Sequence, residues 1–304
     1  MKVLAIIVTY NGMRWYDRCI DSLLHSTIPV DMMVIDNDSS DGTADWLASH
    51  YPMIHLVRSK KNLGFGQANN IGLRYVLAEK YDYAFLLNQD AWLYHSDCVE
   101  QLVKASVNNP EYAIMSALWL YGNAERITTG SEQHIIAMQR KGNDLVSDLF
   151  FRRPLCMVYE TNCIGAAAWL LSRKTIETIG GFDPLFFHRG EDDNYMQRVH
   201  YHSGKIGICP TACICHDIEE RGEDYDREHK TLEKRLLIEL ADVNTHITPK
   251  QWKSKYVRQA LKQFTYCHWR AARNYLHIAH FIDSKMQKIE RSLTINRQIG
   301  ANWL

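Results

Sequence analysis

Val3-Leu4-Ala5-Ile6-Ile7-Val8 runs without a polar residue and ends in Thr9-Tyr10-Asn11-Gly12. A continuous apolar run rich in branched side chains marks a strand buried on both faces, as parallel strands are. Such sheets bind ligands beyond the carboxyl ends of their strands, so the polar residues that close the run predict a site. A helix is predicted next, from about Trp15 to His25, because Trp15, Cys19, Leu23 and Leu24 fall at helical spacing. The unit then recurs. Met32 to Ile35 reads as a second strand and ends in Asp36-Asn37-Asp38-Ser39-Ser40-Asp41-Gly42-Thr43, a polar turn and helix start. Ile54 to Arg58 is a third strand, and Asn62-Leu63-Gly64-Phe65-Gly66-Gln67-Ala68-Asn69-Asn70 opens a helix running to about Leu77. Tyr83 to Leu87 is a fourth strand, closed by Asn88-Gln89-Asp90. This alternation predicts an α/β fold: a Rossmann-like, doubly wound, mainly parallel sheet with helices on both faces. Thr9-Tyr10-Asn11, Asp36 and Asp90 all fall at strand ends, and three polar clusters there are more telling than one.

The chain has 304 residues, 46% of them hydrophobic, which suits one large α/β domain with a smaller appendage. Lys plus Arg and Asp plus Glu number 35 each, so net charge argues against a nucleic-acid binder. The eight cysteines include no Cys-x-x-Cys pair. In the strand-like stretch holding Cys209, Cys213, Cys215 and His216, the last residue faces away from the two before it, which argues against a four-ligand zinc site. Free thiols in a reducing cytoplasm are expected instead. The opening apolar run lacks a cleavage site, and no segment reaches the ~18 apolar residues that span a bilayer. A soluble cytoplasmic protein, or one peripheral to the inner face of the membrane, is expected.

Further along, Tyr121 to Tyr159 reads as loops and short strands punctuated by Gly122, Gly130 and Gly142, covering the acceptor side. Ile164 to Leu171 is again a strand and Arg173 to Ile179 a short helix. Then comes Gly180-Gly181-Phe182-Asp183-Pro184-Leu185-Phe186-Phe187-His188-Arg189-Gly190-Glu191-Asp192-Asp193. The paired glycines suit a sharp turn, the phenylalanines an apolar wall, and a low-dielectric wall could tune one of the carboxylates as a base. A helix from Asp193 to His202 and a strand from Lys205 to Cys215 complete a first domain, 1–218. The remainder, 219–304, opens on a charged connector from Glu219 to Glu228 and then shows helical spacing of Val257, Leu261, Phe264, Ala271, Tyr275, Ile278, Ile282, Met286 and Ile289. Basic residues surround that stripe. Two readings of this tail stand: packing on the first domain or against a second copy as a homodimer, and contact with anionic lipid, for which Trp252, Trp269 and Phe281 speak.

In order and spacing these motifs resemble glycosyltransferase family 2, in particular bacterial rhamnosyltransferases of polysaccharide assembly. The pieces are Val8-Thr9-Tyr10-Asn11, Val34-Ile35-Asp36-Asn37 with Asp41-Gly42-Thr43, the Asn62 to Gly72 stretch, Leu87-Asn88-Gln89-Asp90, Gly165-Ala166-Ala167, Gly180-Gly181-Phe182-Asp183, Glu191-Asp192 with Arg198, and Pro210 to His216. The resemblance implies the GT-A fold, a nucleotide-sugar donor, Mg2+ or Mn2+, and inversion at the anomeric carbon. It implies Asp90 and His216 as metal ligands, Asp192 as general base, and Glu191 as a residue that orients the site or meets the acceptor. It places Thr9, Tyr10, Asn11, Asp36, Asn62, Gly66, Asn69, Asn88 and Gln89 around the nucleotide sugar, with Tyr10 stacking on a pyrimidine and Asp36 accepting from the base or ribose. Asn88 stands where the family usually has a first aspartate, which removes one charge from the metal site. Plainer roles remain open: Asp90 as a helix cap, His216 as a core histidine, the three acids as a helix N-terminus, and the rest as turn chemistry. A dinucleotide fingerprint at Gly64-Phe65-Gly66 fails, since Asn69 holds the third glycine position.

The function this implies is transfer of a hexose, L-rhamnose from dTDP-rhamnose above all, onto a surface-polysaccharide or lipid-linked saccharide acceptor. A UDP-hexose donor, or a non-catalytic nucleotide-sugar-binding scaffold, are the alternatives. A sugar nucleotidyltransferase would need a Gly-rich basic loop after Val8, and none is there.

Overall fold

A computed structural model describes residues 1–137, 144–218 and 232–304. Gly142 and the connector predicted from Glu219 to Glu228 lie outside the described residues. The apolar run forms β1 (Val3–Thr9), whose residues Val3 to Ile7 are fully buried. It pairs in parallel with β2 (Val30–Asp36) on one side and β4 (Tyr83–Leu87) on the other, and β2 pairs in parallel with β3 (His55–Arg58). Between them run α1 (Tyr16–Leu24), α2 (Thr43–His50) and α3 (Gly64–Ala78). This half follows the predicted alternation.

The other half of the sheet is mixed. Its strands are β5 (Ala91–Leu93), β6 (Tyr112–Tyr121), β7 (Tyr159–Thr161), β8 (Ala168–Ser172) and β9 (Lys205–His216), and the order across the sheet is β3-β2-β1-β4-β8-β6-β9-β5. β8 runs antiparallel to both β4 and β6, while β9 lies parallel to β6. β7 and β5 pair antiparallel with the first and last thirds of β9. The antiparallel direction of β8 has a consequence for the site. It sets Ala168 opposite Leu87, so Gly165, Ala166 and Ala167 arrive at the same edge as the carboxyl ends of β1, β2 and β4. Likewise β5 sets Ala91 opposite His216.

The segment expected as loops and short strands carries two helices, α5 (Thr129–Ala137) and α6 (Leu145–Phe150), before β7. α4 (Cys98–Asn108), α7 (Arg173–Ile179) and α8 (Glu191–Tyr201) complete the first unit. Trp169 on β8, Phe182 and Tyr195 on α8 are fully buried, with ring centroids 5.1 Å apart for Phe182–Tyr195 and 6.4 Å for Trp169–Phe182. Phe65 on α3 meets Phe182 edge-on at 5.8 Å. This aromatic cluster joins sheet, α3 and α8, and truncating one such ring costs about 3–5 kcal/mol.

Beyond residue 231 come α9 (Leu232–Leu240), α10 (Pro249–Thr265) and α11 (Trp269–Asn296). Thr248 caps α10 through a reciprocal box with Gln251, and Pro249 fits the first turn. Leu236, Leu240, Val243, Ile278, Ile282, Ile289 and Leu293 form their own core, against which Leu185 packs. The chain's end then returns to the first unit. Asn302 O accepts from Gly181 N at 2.8 Å, and Leu304 packs on the main core. Buried Asp183 accepts from Ser292 Oγ at 2.5 Å and Asn296 Nδ2 at 2.7 Å, both on α11. The turn of Gly180-Gly181 depends on that approach: a Cβ on Gly180 would stand 2.3 Å from the Asn302 carbonyl oxygen.

Candidate active site

A cleft of about 810 Å³ opens along the carboxyl edge of the sheet. Of the predicted residues, Tyr10, Asn62, Asn88, Gln89, Asp90, Glu191, Asp192 and His216 line it. Thr9, Asn11, Asp36, Gly66 and Asn69 do not, and their bonds say what they do instead. Thr9 is fully buried; it accepts from the Tyr16 hydroxyl and donates to Gln89 Oε1 at 2.7 Å. Gln89 Oε1 also takes Tyr10 N at 3.0 Å, so the Gln89 amide is fixed at the cleft wall. Asn11, at φ 50°, accepts from Ser40 N at 2.9 Å and donates its own N–H to Ser39 Oγ at 3.0 Å, tying the ends of β1 and β2 together. Asn69 donates to Phe65 O inside α3 at 3.0 Å. A Cβ on Gly66 would stand 2.8 Å from Phe182 and 3.4 Å from the Glu191 Cβ, so this glycine lets α3 close on α8. Asp36 is buried behind the wall with Oδ1 free of any hydrogen-bond partner.

The structure adds cleft residues to which no role was given from sequence. Asn37 donates to Asn62 Oδ1 at 3.0 Å and accepts from Leu63 N at 2.7 Å, bracing the loop before α3. Trp15 and Trp119 supply apolar wall, beside Phe187, one of the phenylalanines expected to do so. A strand-end position next to Asp36 could have pointed to Asn37; nothing local in the sequence marks Trp119, on a strand that is apolar for most of its length and has no period. Gly64, at φ 75°, is required by the same loop, because a Cβ there would overlap the Phe187 carbonyl.

Asp90 and His216 lie side by side, both nearly inaccessible, with Nε2 of the imidazole 3.2 Å from Asp90 Oδ1. Burial pushes the His216 pKa down to about 4, so the ring is neutral near pH 7 and the contact is a hydrogen bond rather than an ion pair. Nδ1 of His216 is buried without a hydrogen-bond partner, and the Trp119 ring stands perpendicular to the imidazole at 5.7 Å. Asp217 N donates to Asp90 O at 2.9 Å, and Trp15 Nε1 donates to Asp217 Oδ2 at 2.8 Å, which locks the two strand ends. One carboxylate beside one neutral imidazole is a donor set that suits Mn2+ and tolerates Mg2+. Among the described residues no cluster of three or more His, Cys, Asp or Glu is placed to hold a metal ion. A cation held here would therefore take its other ligands from a diphosphate or water.

On the same cleft, Gly190 at φ 93° turns the chain into α8, whose first residues are the three acids. Glu191 is buried with Oε2 unpartnered, and burial, reinforced by Asp192 and Asp193, pushes its pKa up to about 8. Burial and Asp192 push Asp193 up to about 7. Asp192 lines the cleft, with Oδ1 accepting Asp193 N at 2.9 Å. Gly165 lies between Asp192 and Trp119: a Cβ there would meet the Trp119 ring at 2.8 Å and Asp192 Oδ2 at 3.8 Å. The geometry thus sets a carboxylate–imidazole pair and a separate carboxylate on one cavity. That arrangement can anchor a cation and accept a proton in the same site.

The chain is similar to known proteins in sequence and in fold. The N-acetylglucosaminyl-diphospho-decaprenol L-rhamnosyltransferase of Mycobacterium tuberculosis is 24% identical over 263 residues, covering 78% of this chain and 83% of its own. The undecaprenyl-phosphate mannosyltransferase of Micrococcus luteus is 34% identical over 94 residues, 30% of this chain, and the matched stretch spans 38% of that protein. Among solved structures, GalNAc-T7 with UDP, GalNAc and Mn2+ superposes with a TM-score of 0.64 at 15% identity, over 84% of this chain and about half (51%) of that one. The mannosyltransferase PcManGT of Pyrobaculum calidifontis, with GDP-Man and Mn2+, gives 0.58 at 17% identity over 97% of this chain and 86% of its own. These likenesses establish the GT-A fold. The family model described as "Glycosyl transferase family 2" matches residues 4–180, more than half of the chain, and the protein belongs to that family.

Proposed function

We propose that this protein transfers a hexose from a nucleoside diphosphate sugar to a hydroxyl of a saccharide or lipid-linked saccharide acceptor, with inversion. The observation that carries the reading is that Asp192 and the Asp90–His216 pair line one cleft. L-Rhamnose from dTDP-rhamnose is the donor of first choice, because the relative that spans most of this chain is a rhamnosyltransferase named for a polyprenyl-linked acceptor. Asp90 and His216 would hold Mg2+ or Mn2+, which supplies charge neutralisation for the departing diphosphate.

Tyr10, half exposed at the rim, offers a face for the nucleobase, and the fixed Gln89 and Asn62 amides offer hydrogen bonds to ribose and phosphate. Asp192 takes the proton of the acceptor hydroxyl as its oxygen bonds to the anomeric carbon. The bond from that carbon to the diphosphate oxygen breaks on the opposite face, and the electron pair leaves with the nucleotide. Glu191 and Asp193 hold protons into the neutral range, so they can donate hydrogen bonds beside the reacting centre. Trp119, Trp15 and Phe187 keep water from the sugar.

Asp192→Asn should lower kcat at least about 1,000-fold while the nucleotide sugar still binds within a few-fold. The assay is nucleoside diphosphate release with Mn2+, a panel of dTDP-, UDP- and GDP-sugars and a saccharide acceptor. Turnover surviving in the variant would remove Asp192 as base.

A further inference from the structure

A chain of zero net charge concentrates positive charge in one place. Between Asp242 and Asp283 there are seven Lys or Arg and no acid. In the fold these residues make α10 and α11, joined by a tight turn at Tyr266–His268 in which Cys267 adopts φ 58°. The apolar stripe of α11 is spent in the appendage core through Ile278, Ile282 and Ile289. Trp252 and Phe281 pack against that core too, so neither is the exposed aromatic their sequence suggested. What remains outside is different. Leu261, Tyr266 and Trp269 at the turn are 58%, 59% and 64% exposed, and Phe264 meets Trp269 edge-on at 5.6 Å. Lys262, Arg270 and Arg273 surround them, all exposed.

We infer that the turn between α10 and α11 docks on an anionic lipid surface. Trp and Tyr side chains settle at the membrane–water boundary, and basic residues around them are drawn to anionic headgroups. No described helix is long and apolar enough to cross a bilayer, so the contact is with the surface. A second copy of the chain fits this face poorly, because a two-fold contact would set one unneutralised basic turn against another. The inference goes beyond the transfer reading and does not depend on it.

Flotation of the purified protein with vesicles tests it. The protein should float with phosphatidylcholine vesicles carrying about one third phosphatidylglycerol, not with phosphatidylcholine alone, and less as salt rises. Lys262→Gln with Arg270→Gln and Arg273→Gln should weaken that binding about 100-fold, at about 1 kcal/mol per cation. Tyr266→Ser with Trp269→Ser should weaken it about 10-fold. None of these residues lines the cleft, so nucleotide binding should stay unchanged in both variants. Absence of flotation, equal flotation with neutral vesicles, or variants that float like the parent would overturn the inference. So would light scattering that shows the same substitutions splitting a dimer, which would assign the face to a second copy.

Discussion

Glu191→Gln should change how the stability of this protein depends on pH. Glu191 is 4% exposed, its Oε2 has no hydrogen-bond partner, and two further acids follow it on α8. Its pKa rises from 4.5 to about 8, with burial the first cause and Asp192 the second. An acid with a raised native pKa stabilises the fold while it is protonated. That contribution is complete below the unfolded value of 4.5 and is lost as pH climbs through about 8. At 1.36 kcal/mol per pH interval, the full effect approaches about 5 kcal/mol, part of it shared with Asp193. Glutamine stays neutral throughout and lacks this loss. Thermal unfolding of parent and variant between pH 5 and 9, without metal or nucleotide, should therefore give curves that diverge as pH rises. The variant should gain up to about 10 °C relative to the parent over that range. A constant penalty from an imperfectly bonded amide would shift the variant equally at every pH and leave the slope intact. A difference in Tm that is flat with pH, or one that moves against the variant at high pH, would show that Glu191 is ionised and held by a partner, and would refute the reasoning.

Gly64→Ala should cost about 2–5 kcal/mol, because the new Cβ would overlap the Phe187 carbonyl at a left-handed φ; denaturant unfolding measures it, and an unchanged midpoint would contradict the close approach. The same variant should lose nucleotide binding by calorimetry, since Asn62 and Phe187 both flank that contact in the cleft. Asn296→Leu removes one of two α11 donors from buried Asp183 and should lower stability by about 2–4 kcal/mol, read as a fall in Tm. A loss below about 0.5 kcal/mol there would mean that the α11 contact contributes little.

Much of the cleft was legible in the sequence because strand ends announce themselves. Val3 to Val8, Met32 to Ile35 and Tyr83 to Leu87 are apolar runs that stop at polar clusters, and Tyr10, Asn88, Gln89 and Asp90 line the cavity accordingly. The second half of the sheet was harder. Tyr112–Tyr121 is apolar for most of its length, which periodicity cannot divide between strand and buried helix, and its antiparallel neighbour β8 leaves no local trace. Trp119 was missed for that reason. Thr9 and Asn69 had the residue type of a ligand contact, but their side chains are satisfied internally by Gln89 and Phe65. The return of the chain's end onto Gly181 and Asp183 was also invisible, since it joins residues more than a hundred apart through a few polar bonds. Helical spacing read the appendage helices correctly yet said nothing of what they touch.

The direct test of the site is a crystal of the protein with Mn2+ and a nucleoside diphosphate, measured near the manganese absorption edge. One anomalous peak is expected between the Asp90 carboxylate and the His216 imidazole, with the diphosphate completing its ligands and Asp192 facing the sugar side of the same cleft. A peak elsewhere, or a nucleotide bound with Asp192 outside the cavity it occupies, would contradict the proposed mechanism.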